Sequence, residues 1–204
     1  MKKYPIFVQA HNYLKREWLH LVFLFGIIII AASIRLFALG SIPNGFHSDE
    51  VLNGYVGGFI VKNGVDIYGN KLPILYFNNF GDYPNVLPMY VSGIFVTLFG
   101  SSVPTVRLPI AIAGILTVIA IYFFCRWLFV DRWVSTITAL ILAVLPWHVI
   151  LSRATAENVT ASLFFIVGIF IIFVSIERKK PLGYLIGYAL LLITYLLYPS
   201  QRII

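Results

Sequence analysis

Two acidic residues stand side by side in the polar stretch that follows the first long apolar run. They are Asp49 and Glu50, in a chain with only eight acidic residues. A carboxylate near a membrane surface, partly removed from water, can take a proton from a hydroxyl group or hold a divalent cation. The alternative is that the pair only stabilises the start of a helix, by about 0.3–1 kcal/mol. Because neighbouring residues of a helix point about 100° apart, we expect one of the two to face a cavity, and we assign Asp49 to it.

Three more ionisable side chains lie at the ends of apolar runs, which makes them candidates for a functional site. Arg153 and Glu157 are spaced i, i+4 and could simply pair with each other, for about 0.3–0.5 kcal/mol. Arginine is suited to bidentate recognition of phosphate. Arg107 has the same potential, with extension of its side chain to the membrane surface as the competing interpretation.

Two histidines are candidate metal ligands, although their spacing is not that of a compact metal site. His47 precedes the acidic pair and His148 lies near the end of a later apolar run. We leave the cofactor unknown, with a divalent metal ion at His47 and Asp49 as the open possibility. The single cysteine, Cys125, lies inside an apolar run, which excludes disulfide and thiolate–metal frameworks. Asp66, Lys71 and Asp82 are interpreted as solvated loop charges; the sequence contains no P-loop, dinucleotide fingerprint, H-E-x-x-H or G-x-S-x-G motif.

The composition indicates a membrane protein. The chain is 60% hydrophobic and 11% charged, with a mean hydropathy of +0.90, whereas a soluble domain is about half apolar and a quarter charged. The apolar residues are gathered into runs long enough to cross a bilayer. The fold class predicted is therefore an all-α polytopic membrane protein, whose net charge of +7 sets its orientation. No basic cluster is interleaved with aromatic residues, so nucleic acid is not an expected partner.

The apolar runs predict about five transmembrane helices. The predicted segments are a cytoplasmic N-terminus (1–17), a first span (18–39), a long extracytoplasmic loop with juxtamembrane helices (40–107), and four spans in the rest of the chain (108–125, 133–151, 159–176 and 182–198).

The segment 84–100 decides this count. If it does not cross the membrane, the basic residues near the N-terminus, Arg126, Arg132 and the cluster 178–180 all face the cytoplasm, as the positive-inside rule requires. We therefore predict a multi-pass protein of the cell membrane with a cytoplasmic N-terminus and 84–100 as a juxtamembrane or re-entrant helix. Asp49, Arg107 and Glu157 then share the extracytoplasmic side.

The outer loop is expected to begin with a short helix capped by Ser48 and ended by Gly64, with the acidic pair in its first turn. The residues predicted to form one apolar stripe along the membrane surface are Val51, Leu52, Tyr55, Val56, Phe59 and Ile60.

The order of these features resembles the N-terminal part of membrane glycosyltransferases of the GT-C class. The resemblance is closest to relatives of the protein O-mannosyltransferases and the lipid A aminoarabinose transferases, glycosyltransferase family 39-like, and extends from about residue 18 to near the end of the chain. One departure is that Pro84 and Pro88 are separated, where many relatives have a Pro-Pro pair. The segments that carry the resemblance are Phe46-His47-Ser48-Asp49-Glu50, Asn63-Gly64-Val65-Asp66-Ile67-Tyr68-Gly69, Gly81-Asp82-Tyr83-Pro84, Leu98-Phe99-Gly100, Val106-Arg107-Leu108-Pro109, Pro146-Trp147-His148 and Ser152-Arg153-Ala154.

The resemblance implies transfer of a sugar from a polyprenyl-phosphate donor to a lipid, glycan or protein acceptor on the outer face of the membrane. By the same analogy Asp49 matches the catalytic acidic residue of the first outer loop, with Glu50 beside it. Glu157 matches a second acidic residue, and Arg153 a basic partner for phosphate. The family's remaining spans are not found in this chain, and the segment 199–204 resembles the beginning of a further element, so the sequence is expected to be a truncated GT-C-like domain.

Two other functions are compatible with the same charges. A transporter or lipid flippase would use them as a coupling or headgroup site, but it predicts broken helices at mid-membrane and an inverted repeat; the sequence has no such repeat. A purely structural membrane subunit predicts that Asp49, Arg153 and Glu157 tolerate neutral substitution.

Overall fold

The structure, a computed structural model, describes residues 6–129, 131–154 and 157–198. Lys2, Lys3, Thr155, Ala156 and the segment 199–204 lie outside the described residues, as do the side chains of Lys15 and Arg16. The described part of the chain is helical and contains no β-strand, only isolated bridges in one loop. The all-α fold class is therefore confirmed. The helices are α1 (Ile6–Leu36), α2 (Ser48–Asn63), α3 (Leu87–Phe99), α4 (Val103–Leu128), α5 (Arg132–Val144), α6 (Pro146–Arg153), α7 (Glu157–Arg178) and α8 (Pro181–Leu197).

Three helices are long and apolar enough to cross a membrane: Trp18–Leu36 of α1, α4 and α7. The bent pair α5 and α6 forms a fourth if it is one span. Helix α8 has 17 residues, about 25 Å, which is the lower limit for crossing the hydrocarbon core. The chain is thus a polytopic membrane protein, and the prediction of about five spans requires both the bent pair and α8 to cross.

The predicted span 133–151 is not one straight helix but is bent by 54° between α5 and α6. Proline lacks the N–H that would bind the carbonyl four residues earlier, so Pro146 frees the carbonyl of Leu142. Arg35 of α1 compensates for the break, since it donates to the carbonyl oxygens of Leu142 at 3.3 Å and Ala143 at 2.8 Å. A fully buried arginine in the first span thereby satisfies the backbone of a broken one.

Helix α2 packs closely on α3 through glycine. A Cβ atom built on Gly57 would lie 2.0 Å from the carbonyl oxygen of Met89, and one on Gly93 would lie 2.3 Å from the backbone of Gly57. Of the predicted apolar stripe, Val56 and Ile60 are buried while Val51 and Tyr55 are exposed, and its placement along the membrane surface stays a prediction. The face of α2 that meets α3 is set by small residues, which let two helix backbones approach more closely than large side chains allow.

The two ends of α2 correct one prediction and agree with another. The N-cap is His47 and not Ser48: the His47 side chain and the Glu50 carboxylate form a capping box. Gly64 ends the helix in the left-handed conformation, with φ 69°, as predicted.

In the loop after α2, Asp66 is not the solvated loop charge predicted from the sequence but is 3% exposed. It accepts hydrogen bonds from the backbone N–H groups of Tyr68 and Asn70, which holds its pKa below the ordinary value against the opposing effect of burial.

Helix α3 has 13 residues, about 20 Å, too short to cross the hydrocarbon core alone. Its neighbour α4 begins beside the end of α1, because Arg107 donates to the carbonyl of Leu39 at 3.0 Å. The chain therefore returns to the same end of α1 after α3. This is the geometry that the five-span interpretation of the segment 84–100 requires.

Candidate functional site

The site is organised around a buried ion pair between α2 and α4. Glu50 accepts hydrogen bonds from Nε of Arg107 at 2.7 Å and from Nη2 at 3.0 Å, and neither side chain is more than 3% exposed. Burial raises the pKa of the Glu50 carboxyl, but the hydrogen bonds from Arg107 and from the backbone N–H of His47 outweigh it, so that the pKa lies below its ordinary value. Glu50 is thus held in its ionised form.

Arg107 also fixes the chain reversal after α1. Its Nη1 donates to the carbonyl oxygens of Leu39 at 3.0 Å and Pro43 at 3.1 Å, and its Nη2 donates to that of Gly45 at 2.7 Å. Each nitrogen of the guanidinium therefore has a partner within the protein. The predicted contact of Arg107 with phosphate stays a prediction, and it requires at least one of these carbonyls to be displaced.

Arg153, at the end of α6, secures the same reversal from the other side. It is 6% exposed and donates to the carbonyl oxygens of Ile34, of Phe37 at 2.7 Å and of Ile42 at 2.9 Å. Among the described residues the ion pairs are Arg107–Glu50 and His47–Asp49, so Arg153 binds the end of α1 and does not pair with Glu157. A role for Arg153 in phosphate binding likewise stays a prediction.

Asp49 differs from its neighbour in being open to solvent. Its side chain is 68% exposed, and Oδ2 lies 3.4 Å from Nδ1 of His47, which is 72% exposed. The structure therefore separates the acidic pair as a helix must, with Glu50 inward and Asp49 outward. Asp49 is the carboxylate that remains accessible, and its role as a base stays a prediction.

The candidate metal ligands do not form a larger cluster. Within the described ranges no group of three or more His, Cys, Asp and Glu side chains could hold a metal ion. His148 is buried, unlike the exposed His47: it is 1% exposed, and its Nδ1 accepts a hydrogen bond from Arg35 at 2.9 Å. His47 and Asp49 alone offer two exposed donors, fewer than the three or more protein ligands common in metal sites.

Glu157 is the first residue of α7 and is partly buried. Its carboxyl group interacts electrostatically with Asp49 and with the side chain of Asn53 on α2, a residue that the sequence did not single out. Asn53 follows Asp49 by four residues on a predicted helix. That spacing places both side chains on one face, and it is the signal by which Asn53 could have been found.

An open cleft of about 410 Å³ lies beside the ion pair. It is lined by the loop Pro43–His47, by Glu50 and Arg107, and by Ala154 after α6. Asp49 and Glu157 are not among its lining residues. The cleft thus lies between the first outer loop, the starts of α2 and α4 and the end of α6, and Glu50 is the member of the acidic pair that lines it. The prediction that Asp49 faces a cavity stays a prediction.

Comparison with known proteins agrees with the resemblance found in the sequence. Residues 82–201 match the family described as dolichyl-phosphate-mannose-protein mannosyltransferase. The match includes Arg107, Arg153 and Glu157 and begins after the acidic pair. No curated protein and no solved structure matches the chain.

Proposed function

The chain belongs to the dolichyl-phosphate-mannose-protein mannosyltransferase family, a family of membrane glycosyltransferases, and on that premise we propose that it transfers mannose from a polyprenyl-phosphate donor to a protein hydroxyl. The family description names the sugar, the lipid class and the acceptor, and we propose that all three apply to this chain. The transfer takes place on the extracytoplasmic face of the cell membrane, with the N-terminus in the cytoplasm as the positive-inside rule predicts.

The observation that carries the proposal is that the two adjacent carboxylates have different environments. Glu50 forms a buried ion pair with Arg107, which fixes the start of α2 against α4. Asp49, one residue earlier, is left 68% exposed on a helix whose position is thereby fixed. A general base must be held in place and yet reach the proton that it removes.

In the proposed reaction the acceptor oxygen attacks the anomeric carbon of mannose while Asp49 takes the hydroxyl proton. The bond between the anomeric carbon and the phosphate oxygen breaks, and its electron pair leaves with the polyprenyl phosphate. Attack from the side opposite the leaving group inverts the anomeric configuration. Glu157 is proposed to accept a hydrogen bond from a substrate hydroxyl.

Arg107 and Arg153 are proposed to stabilise the anionic leaving group. Both guanidinium groups lie at the reversal after α1, and positive charge placed in advance where negative charge develops lowers the barrier. Since N–H groups of both arginines already donate to backbone carbonyls, the proposed stabilisation comes from their positive charge and not from direct hydrogen bonds to phosphate. Direct contact with phosphate requires the loop 37–45 to move.

The experiment compares sugar transfer by wild type and Asp49→Asn in membranes, with radiolabelled polyprenyl-phosphate mannose and a serine- and threonine-containing peptide. General bases contribute about 10²- to 10⁴-fold, so we expect Asp49→Asn to lose at least about 100-fold in rate. Asp82→Asn is the matched control, because Asp82 is an exposed carboxylate of the same outer loop. Full transfer by Asp49→Asn would remove the proposed base.

A further inference from the structure

A short hairpin in the loop between α2 and α3 presents one phenylalanine at its tip. The chain folds back on itself over residues 76–85, the outer-loop hairpin, where the backbones of Asn79 and Asp82 exchange two hydrogen bonds of 2.8 and 3.0 Å. Phe80 and Gly81 form the two-residue turn between them. The side chain of Phe80 is 94% exposed, so the described part of the chain leaves it almost entirely uncovered.

The backbone at this tip is strained. Phe80 has φ 52° and Gly81 has φ 95°, the signs that a two-residue hairpin turn of type I′ requires. Asn or Asp is the usual first residue of such a turn, because left-handed backbone is unfavourable for a bulky side chain. Leu72, in the same loop, has φ 39° and is also exposed. Strain of this kind is concentrated at functional sites, and here it directs two apolar side chains away from the protein.

The base of the hairpin is fixed to the protein, so its tip has a defined direction. Phe77, three residues before Phe80, is 1% exposed and packs in one cluster with Ile60 of α2 and Met89 of α3. Its backbone N–H donates to the carbonyl oxygen of Pro84 at 3.0 Å. The hairpin is therefore a folded element, and Phe80 cannot turn inward without the loss of this packing.

The residues next to the hairpin extend its apolar surface. The Tyr90 hydroxyl of α3 donates to the carbonyl oxygen of Pro73 at 3.0 Å, which ties the segment before the hairpin to the same helix. The segment 72–106 contains a single charged residue, Asp82, whereas about a quarter of the residues of a soluble domain are charged. The exposed apolar side chains here, the outer-loop apolar surface, are Leu72, Ile74, Leu75, Tyr76, Phe80 and Tyr83.

A lipid bilayer is the partner that this chemistry fits. Tyrosine is enriched where membrane meets water, because its ring is apolar and its hydroxyl is polar, and the rings of Tyr76 and Tyr83 lie against each other with centroids 5.4 Å apart. Helix α3 follows directly, has no charged residue, exposes Leu98 and Phe99 at its end, and packs beside the span α4 and the apolar helix α8. The outer-loop apolar surface is thus continuous along the chain with a helix that lies against membrane-embedded elements.

We propose that the outer-loop apolar surface is a membrane anchor, in which Phe80 inserts into the interfacial region of the bilayer and Tyr76 and Tyr83 lie at the level of the headgroups. Because the hairpin packs on α2 and α3 through Phe77, the anchor fixes the distance of both helices from the bilayer surface. The inference concerns attachment to lipid and does not depend on the proposed transferase function.

The test measures lipid contact at position 80 by electron paramagnetic resonance, with the full chain in phosphatidylcholine vesicles. A nitroxide label on Phe80→Cys, in a Cys125→Ala background, collides with oxygen, which concentrates in lipid, or with a water-soluble nickel chelate. Ile29→Cys on the exposed side of the first span is the lipid reference, and exposed Lys180→Cys between α7 and α8 is the aqueous one. Full burial of a phenylalanine side chain is favoured by at least about tenfold, so we expect at least about tenfold fewer nickel collisions at position 80 than at position 180.

A second label site keeps the native tip. Ile74→Cys reports on the same surface with Phe80 present, and it carries the test alone if labelled Phe80→Cys does not accumulate. We expect its label to contact lipid with Phe80 and also in Phe80→Trp, because tryptophan is favoured at the interface. Phe80→Ser should shift the nickel collision rate at position 74 toward the value at position 180. An unchanged rate in Phe80→Ser would overturn the role of Phe80 as an anchor.

The two reagents together identify what covers the surface. Frequent collisions with the nickel chelate at positions 80 and 74 would show that the surface faces water and would overturn the proposal. Rare collisions with both reagents would show that protein covers it, which overturns the lipid anchor as well. Sugar transfer is not part of the readout, so loss of the transferase proposal leaves the outcome of this test unchanged.

Discussion

Glu50 and Arg107 are 57 positions apart and form a buried, two-point ion pair, with N–O distances of 2.7 and 3.0 Å. The pair joins α2, which carries the predicted base, to the start of α4. It also leaves Asp49 as the exposed member of the acidic pair. Much of the proposed site depends on this one contact.

Breaking the pair should destabilise the protein. Arg107→Met leaves Glu50 as a buried unpaired charge and removes the donor to three carbonyls, so we expect a loss of at least about 3–5 kcal/mol in the free energy of unfolding. Glu50→Gln should cost less, because glutamine still accepts a hydrogen bond. Thermal unfolding in detergent measures both. Arg178→Met, an exposed arginine at the far end of α7, should unfold at the wild-type temperature; an equally stable Arg107→Met would contradict the role of the pair.

The Glu50–Arg107 ion pair should make the free energy of unfolding depend on pH in the acidic range. The folded-state pKa of Glu50 lies below its ordinary value, so the folded state binds fewer protons than the unfolded state near the unfolded pKa of about 4.3. The stabilisation is present above that pH and is lost as the pH falls through the folded pKa. Unfolding temperatures between pH 7 and pH 3 should therefore fall less steeply for Glu50→Gln than for wild type. Parallel curves would show that Glu50 titrates alike in both states.

Arg35 should stabilise the helix break that Pro146 causes between α5 and α6. Arg35→Met leaves the carbonyls of Leu142 and Ala143 without the donors that the structure gives them, and unsatisfied backbone groups in a membrane span are costly. Pro146→Ala restores an N–H for the carbonyl of Leu142. We thus expect Arg35→Met to reduce the unfolding temperature less in the Pro146→Ala background than in wild type. Additive losses would separate the arginine from the helix break.

Glycine at position 57 should be required for the α2–α3 contact. In Gly57→Ala the added methyl group would meet the Met89 carbonyl at 2.0 Å, so a backbone must shift, and overpacking typically costs about 1–3 kcal/mol. Gly26→Ala is the matched control, since nothing lies within 4 Å of its added Cβ. We expect a lower unfolding temperature and slower sugar transfer for Gly57→Ala alone. Equal behaviour of the two variants would contradict the close packing of these helices.

The sequence predicts the features that depend on local pattern. Apolar runs indicate the spans, and helix-start chemistry places the acidic pair in the first turn of α2, with Gly64 at its end. The bend at Pro146 is not predicted, because the run 133–151 is continuously apolar. The close packing of α2 on α3 is not predicted either, since glycines contribute nothing to an apolar stripe and yet permit the closest approach.

The partners of the buried arginines could not be predicted in the same way. Arg107 binds the carbonyl of Leu39 and Arg153 that of Phe37, and every residue has such a carbonyl. Which carbonyls lose their helical partners and meet a guanidinium depends on how the chain reverses after α1. Sequence spacing suggested a pair between Arg153 and Glu157, but burial of the arginine against the end of α1 takes precedence.

We propose that Asp49 and Glu157 serve one site on the extracytoplasmic face. The direct test is labelling of Asp49→Cys and Glu157→Cys, each in a Cys125→Ala background, with a membrane-impermeant maleimide added from either side of the membrane. We expect both positions to be labelled from outside and polyprenyl-phosphate mannose to protect both. Labelling of position 157 from the cytoplasm would place the two carboxylates on opposite faces and contradict the shared site.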